Sequence, residues 1–225
     1  MDTAGPFWLD GDWTDEHYEH ARALAFEAGL PWWPTLRNRP IYLSASETVE
    51  HSQLDSANAY YNAATRQAVV PVSDRRLPHL IAHELGHGLD RDTLDDDDRA
   101  KLRDIMGGDD TAPWSWDGDH LHHEHPGEAF AQWVSWLAGH YERESYGPFT
   151  FGDVSADIMD VVWAAAKRYE VFPDAPLDGT HGLALHYLAG QGVFEGDADG
   201  NANPHEPVTR AQLASVLRER YPDAA

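Results

Sequence analysis

His83 and His87 stand four residues apart, with Glu84 directly after the first, in the segment His83-Glu84-Leu85-Gly86-His87. On a helix, residues at this spacing lie on one face a single turn apart, so both imidazoles reach one metal ion. Neutral imidazole suits zinc, which accepts four ligands and in a catalytic site keeps one position for water. Glu84 is placed to reach that water and act as general base, while the metal brings the water pKa toward neutrality. The spacing therefore predicts a zinc metallohydrolase, most simply one that cleaves peptide bonds. The chain has no cysteine, which excludes a disulfide framework and a thiolate zinc site. Any metal is then held by His, Asp, Glu, Tyr or water.

Such a motif needs a helix, and the pattern supplies one from about Leu77 to Leu89. Leu80, Ile81, Leu85 and Leu89 form its apolar stripe, and Pro78 suits its first turn. Small Gly86 permits close packing, and Asp90 is expected to accept a hydrogen bond from a ligand imidazole. Ile41-Tyr42-Leu43 and residues 68–72 read as strands, with Pro71 marking the second as an edge strand or a bulge. Residues 14–28 read as a helix with Thr14 as N-cap and Gly29 beyond its end. The acidic run Asp95 to Asp98 suits the start of a helix through Met106, where it complements the helix dipole. A loop rich in Asp, His and Trp follows Gly107. A helix is predicted from Glu128 to about Tyr141, with Phe130, Trp133, Val134, Leu137 and Tyr141 on one face. Another covers 154–169, with Val154, Ile158, Val161, Val162 and Ala165 inward. Composition changes near Val171, at Phe172-Pro173-Asp174-Ala175-Pro176, and helical segments follow at about 180–191 and 209–220. The expected fold is α+β and mostly helical, with one domain over 1–170 and a small helical module over 171–225.

The formal net charge is −23, from 16 basic and 39 acidic residues. A field of that sign repels phosphate backbones and argues against nucleic-acid or anionic-membrane binding. It favours solubility and attracts cations and basic peptides. Met1-Asp2-Thr3-Ala4-Gly5 lacks the basic and apolar regions of a signal peptide. No stretch approaches the roughly 18 apolar residues of a membrane span, so a soluble chain without membrane insertion is expected.

His83-Glu84-Leu85-Gly86-His87-Gly88-Leu89-Asp90 resembles the HExGHxxD signature of the gluzincin peptidases, especially the group related to the anthrax lethal factor catalytic domain. The resemblance covers about residues 58–140 and implies a zincin-like domain, a protein or peptide substrate and a zinc ion. It also implies a third ligand, a Glu at the start of a helix roughly 40–50 residues further on. Glu128-Ala129-Phe130-Ala131-Gln132 stands at that distance, which makes Glu128 the expected ligand. Glu124, one turn earlier, and the loop histidines remain alternatives. Two positions depart from the family. Gln132 replaces a second acidic residue four positions after the ligand. Leu121 stands where the family tends to carry a Tyr that stabilises the oxyanion. His120, His122, His123 and His125 surround Leu121, and His120 and His122 are the candidate substitutes for that donor.

The C-terminal part carries a second resemblance. His181-Gly182-Leu183-Ala184-Leu185-His186-Tyr187-Leu188-Ala189-Gly190-Gln191-Gly192-Val193-Phe194-Glu195-Gly196 is followed by Asp197-Ala198-Asp199-Gly200-Asn201, Pro204, and Val208-Thr209-Arg210-Ala211-Gln212-Leu213. This is similar to one S-layer homology repeat. Gly192 and Gly196 permit turns, Thr209 caps the last helix, and Leu213, Val216 and Leu217 are expected to pack on Leu185 and Leu188. The resemblance implies a cell-wall glycan or envelope partner, with Arg210 in the groove, and a place at a cell surface or virion. Such repeats usually occur in threes. Only one clear copy exists here: Phe151-Gly152-Asp153-Val154 resembles the opening of another, but the rest does not follow. The Asp197 loop also mimics the start of a calcium loop, but Val208 occupies the twelfth position in place of Glu, which disfavours an EF-hand. The rival to an enzyme is a non-enzymatic envelope or virion assembly protein with a structural or vestigial zinc site.

Overall fold

The helix that carries the histidines is longer than its apolar stripe, because its flanks are tied down as well as its middle. In the computed structural model it runs Leu77–Thr93 (α1), and Leu80, Ile81, Ala82, Leu85 and Leu89 are all buried. The structure describes residues 3–4, 7–10, 30–31, 41–46, 59–71, 77–107, 112–115, 124–140, 145–146, 149–176, 179, 181–190, 194–207 and 209–210. The helix expected over 14–28, His120 and His122, and the last helix beyond Arg210 lie outside the described residues.

Before α1 comes a five-stranded sheet. Its strands are Thr3–Ala4 (β1), Phe7–Asp10 (β2), Ile41–Ser46 (β3), Tyr60–Asn62 (β4) and Gln67–Pro71 (β5). They are ordered β1-β2-β3-β5-β4, with β2, β3 and β5 parallel and the two outer strands antiparallel. The strand containing Pro71 is therefore not at an edge, contrary to the sequence reading. Pro71 is its last residue, opposite Ser46, so the missing N–H falls where the ladder is ending. Ala68 and Val70 are fully buried while Gln67 and Val69 are half-buried, the alternation expected of a sheet with one face on the core. The β4–β5 turn is held by Asn62 Oδ1, which accepts the N–H groups of Ala64 and Thr65, and Arg66 adopts φ 56°. Arg66 Nη1 then reaches Asp92 Oδ2 at 2.6 Å, fastening the hairpin to the end of α1.

The other helices are Asp96–Met106 (α2), Pro126–Leu137 (α3), Phe151–Lys167 (α4) and Gly182–Gly190 (α5), with a small hairpin, Ser145–Tyr146 (β6) and Phe149–Thr150 (β7), before α4. Among the described residues the fold is mostly helical with a small sheet, and no helix is long and apolar enough to cross a membrane. The acidic run caps α2 as expected. Asp95 accepts the Asp98 N–H at 3.0 Å, and Asp98 reaches back to the Asp95 N–H at 3.2 Å, forming a reciprocal capping box. Phe151 opens α4 and packs in the main core against Trp136 and Phe149.

Residues 126–135 of α3 are all buried, so this helix is enclosed on every side over its first turns. Its main partner is α1, and Gly86 is where they touch. A Cβ at Gly86 would lie 3.0 Å from Ala131 Cα and 3.2 Å from Val134 Cβ. Ala is the better helix former by nearly 1 kcal/mol, but here its methyl meets backbone that cannot yield without moving a helix. Gly86→Ala is therefore expected to destabilise the chain by about 1–2 kcal/mol net in denaturant unfolding. A raised midpoint would show that the helices do not abut at this point.

Candidate metal centre and C-terminal repeat

α1 and α3 meet along a polar seam inside an apolar core. His79, His83 and His87 follow one another at single-turn intervals on α1, and Glu128, Gln132 and Ser135 share a face of α3. The pairings His87–Glu128 and His79–Ser135 show that the helices run in opposite directions. Ser135 Oγ donates to the His79 carbonyl at 3.3 Å, so it accepts from His79 Nδ1–H at 2.7 Å. Gln132 is buried, and its Oε1 has no hydrogen-bond partner among the described residues. With Gln at this position the seam carries no carboxylate besides Glu128 on the α3 side.

At the other end of the seam three side chains able to ligate a metal converge. His83 Nε2 lies 3.1 Å from Glu128 Oε2 and 3.2 Å from His87 Nε2, and His87 Nε2 lies 3.5 Å from Glu128 Oε1. A tetrahedron with zinc–ligand bonds of about 2.0–2.1 Å has edges of about 3.3–3.4 Å. The separation of the two His nitrogens lies near that value, each is within 3.5 Å of a Glu128 oxygen, and two imidazoles with one carboxylate leave a fourth corner open. The residues therefore fit a zinc ion by both geometry and donor type. His83 and Glu128 are buried, while the His87 side chain is 22% exposed and marks the solvent side.

Among the described residues, His83, His87 and Glu128 are the one group of His, Asp or Glu side chains able to share a metal ion. Glu124 and His125, the alternatives from sequence, are not in it. His125 is fully buried, with Nδ1 3.1 Å from the Pro113 carbonyl. Glu84 is buried between His83 and Leu85 on α1, and its charge is felt at His87. Asp90 departs from expectation. Its Oδ1 accepts Arg99 Nε at 2.9 Å and its Oδ2 accepts Trp114 Nε1 at 2.9 Å. The partners of the Asp90 carboxylate are thus a guanidinium and an indole, not an imidazole of His83 or His87. Sequence reasoning overlooked Trp114, Ser135 and His79. Only His79 left a signal there, one turn before His83.

Burial alone would lower the His87 pKa, but the charge and hydrogen bond of Glu128, with the charges of Glu84 and Asp90, outweigh it and raise the value to about 9 in the metal-free chain. A metal must displace that proton. Apparent zinc affinity is therefore expected to rise about tenfold per pH unit from pH 7 up to about 9, with release of one proton per ion. Competition titrations at several pH values check this, and a flat profile would contradict it.

Beyond α4 a separate core gathers around Phe172, Ala175 and Ala202, with Leu185, Ala189 and Phe194 packed against it. His186 of α5 sits fully buried among them. Its Nδ1 accepts the Val171 N–H at 3.0 Å and its Nε2–H donates to the Ala175 carbonyl at 2.8 Å. Burial lowers its pKa and outweighs the bond to the Ala175 carbonyl, which acts the other way, and an Nδ1 that accepts a backbone N–H belongs to the neutral ring. Gly196 has φ 79°, and a Cβ there would come within 2.8 Å of the Phe172 ring and 2.9 Å of the Asn201 carbonyl. Asp197 Oδ1 accepts the N–H groups of Asp199 and Asn201, and Asp174 accepts those of Ala202 and Asn203 at 2.7 Å each. Residues 177–214 match the S-layer homology domain. The matched S-layer homology segment takes in α5, the Asp197 loop and Arg210, and stops short of α1 to α4. Within it the Asp197 carboxylate is occupied by two backbone N–H groups and the Asn203 amide, as suits a structural turn. No curated protein and no solved structure matches the chain.

Proposed function

We propose that this chain is a zinc metallohydrolase of the gluzincin kind that cleaves peptide bonds, held at a cell envelope by its S-layer homology segment. The observation that carries the first half is the cluster of His83 Nε2 and His87 Nε2, 3.2 Å apart, with the two Glu128 oxygens 3.1 Å from the first and 3.5 Å from the second. These three residues would hold the ion. Bound zinc supplies an acidified water and polarises the substrate carbonyl. Glu84 accepts the proton of the attacking water and returns it to the leaving amine. Gly86 keeps α1 against α3, so that ligands from two helices stay in register. Asp90 holds Trp114, which lies against the start of α3.

The match over residues 177–214 supports the second half. Repeats of this kind bind cell-wall polymers, and Arg210 is exposed at the start of its helix. The full chain is expected to sediment with cell-wall fractions, and Arg210→Ala to weaken that retention. An intact chain that stays in the supernatant would retire the envelope assignment.

Gln132, where related enzymes carry an acid, favours a second reading: a non-enzymatic envelope or virion component whose zinc is structural. That reading predicts stoichiometric zinc and no turnover, whereas the enzyme reading predicts both.

A further inference from the structure

We infer that Trp114 is a positioning residue for the ligand Glu128, and that Asp90 acts on the metal centre through it; this rests on the metal site proposed above. α3 begins with Pro126 after His125, and the His125 side chain does not cap the first N–H groups of the helix. The first N–H groups of a helix have no partner within it, and an enclosed helix start must find them one elsewhere. Here a loop segment supplies it. The Trp114 carbonyl accepts the Gly127 N–H at 2.9 Å, and the Pro113 carbonyl lies 3.1 Å from His125 Nδ1. The contact is close on the indole side as well. A Cβ on Gly127 would stand 2.6 Å from the Trp114 carbonyl oxygen and 3.0 Å from its Nε1. Gly127 immediately precedes Glu128, so Trp114 sets where that carboxylate leaves the backbone.

Trp114 is fixed in turn. Its Nε1–H donates to Asp90 Oδ2 at 2.9 Å, and Asp90 is steadied by Arg99 through Nε at 2.9 Å and, at its own carbonyl, through Nη2 at 3.4 Å. Asp90 lies three residues after His87 on the same helix. The bond from Asp90 to Trp114 therefore joins the helix bearing two ligands to the start of the helix bearing the third. It sets the distance between them, which a metal site requires to within fractions of an ångström.

The test uses the full metal-free chain titrated with Zn2+, and with Co2+ for its visible spectrum. Trp114→Phe keeps the ring and removes the donor. It is expected to weaken zinc binding about tenfold or more, the usual effect of losing an outer partner, and to change the Co2+ bands. Adding Asp90→Ala to Trp114→Phe should cost little further, because the two act as one unit. Gly127→Ala, which pushes Trp114 away from the other side, should also weaken binding. Trp133→Phe is the control. It loses a similar indole bond, to Ser155 Oγ at 3.0 Å, from α3, the helix that bears Glu128. It should lower stability while leaving zinc affinity and the Co2+ spectrum as in the unmodified chain. Unmodified chain that binds one zinc, with Trp114→Phe and Gly127→Ala binding equally well, overturns the inference alone. Equal weakening by Trp133→Phe overturns it too. An unmodified chain with no saturable zinc site overturns the metal reading and this inference together.

Discussion

Glu84→Gln is expected to keep one zinc per chain and to lower peptide hydrolysis by about 10²–10⁴-fold. The amide has nearly the shape of the carboxylate but cannot accept the proton of the attacking water. Glu84 is not among the three donors that converge on one point, so the metal should stay. The variant also removes one of the negative charges that raise the His87 pKa. Less proton competition at His87 means that zinc binding near neutral pH should hold or tighten. Hydrolysis of a peptide library, measured beside metal content, separates the outcomes. Equal activity in both proteins would remove Glu84 from its role, and loss of the metal would make it a ligand.

Arg168→Ala is expected to cost the largest share of stability of any single exposed cation described. Asp98 is almost wholly buried at the start of α2, where it serves the capping box, and Arg168 at the end of α4 donates to both of its oxygens. The same guanidinium reaches the Thr93 carbonyl at 3.2 Å, at the end of α1. One side chain thus joins three helices. Removing one partner of a fully buried pair costs about 3–5 kcal/mol. Arg168 is partly exposed and Lys101 stays 3.5 Å from Asp98, so water and a second cation soften the loss. The expected destabilisation is about 2–3 kcal/mol, read from denaturant unfolding. A loss below about 0.5 kcal/mol would place the pair with ordinary surface bridges.

The pair also carries a pH signature. Burial would raise the Asp98 pKa, but the hydrogen bonds from Arg168 and Asp95 and the charges of Arg168 and Lys101 bring it below its ordinary 3.8. A depressed carboxylate contributes its stability above the unfolded value and loses it as pH falls through the folded one. The contribution of Asp98 should therefore be whole above about pH 4 and fade below it, and Arg168→Ala should flatten that acid slope.

Local rules made much of this molecule readable. An apolar stripe with Pro78 in its first turn marked α1, and four aspartates marked the cap of α2. Gly86 was legible as a close contact because it interrupts a row of larger residues. The start of α3 was placed at Glu128, two residues late, since Pro126 and His125 do not show the side-chain cap that usually announces a helix. Tyr60–Asn62 is too short to display an alternation, so β4 went unread. Pro71 was read as marking an edge strand or a bulge on its missing N–H, a rule that does not apply at the last residue of a strand. The hydrogen bond from Trp114 to Asp90 spans 24 residues and obeys no period, so no spacing could announce it. The link that orders the candidate site is thus non-local, while the donors themselves were written in two short motifs.

Titration of zinc into the metal-free full chain, beside Glu128→Ala, tests the central claim most directly. One zinc per chain is predicted for the unmodified protein, bound at least about a hundredfold more weakly once the carboxylate is gone. No saturable site in the unmodified chain, or the same affinity in both proteins, would contradict a metal centre built from His83, His87 and Glu128.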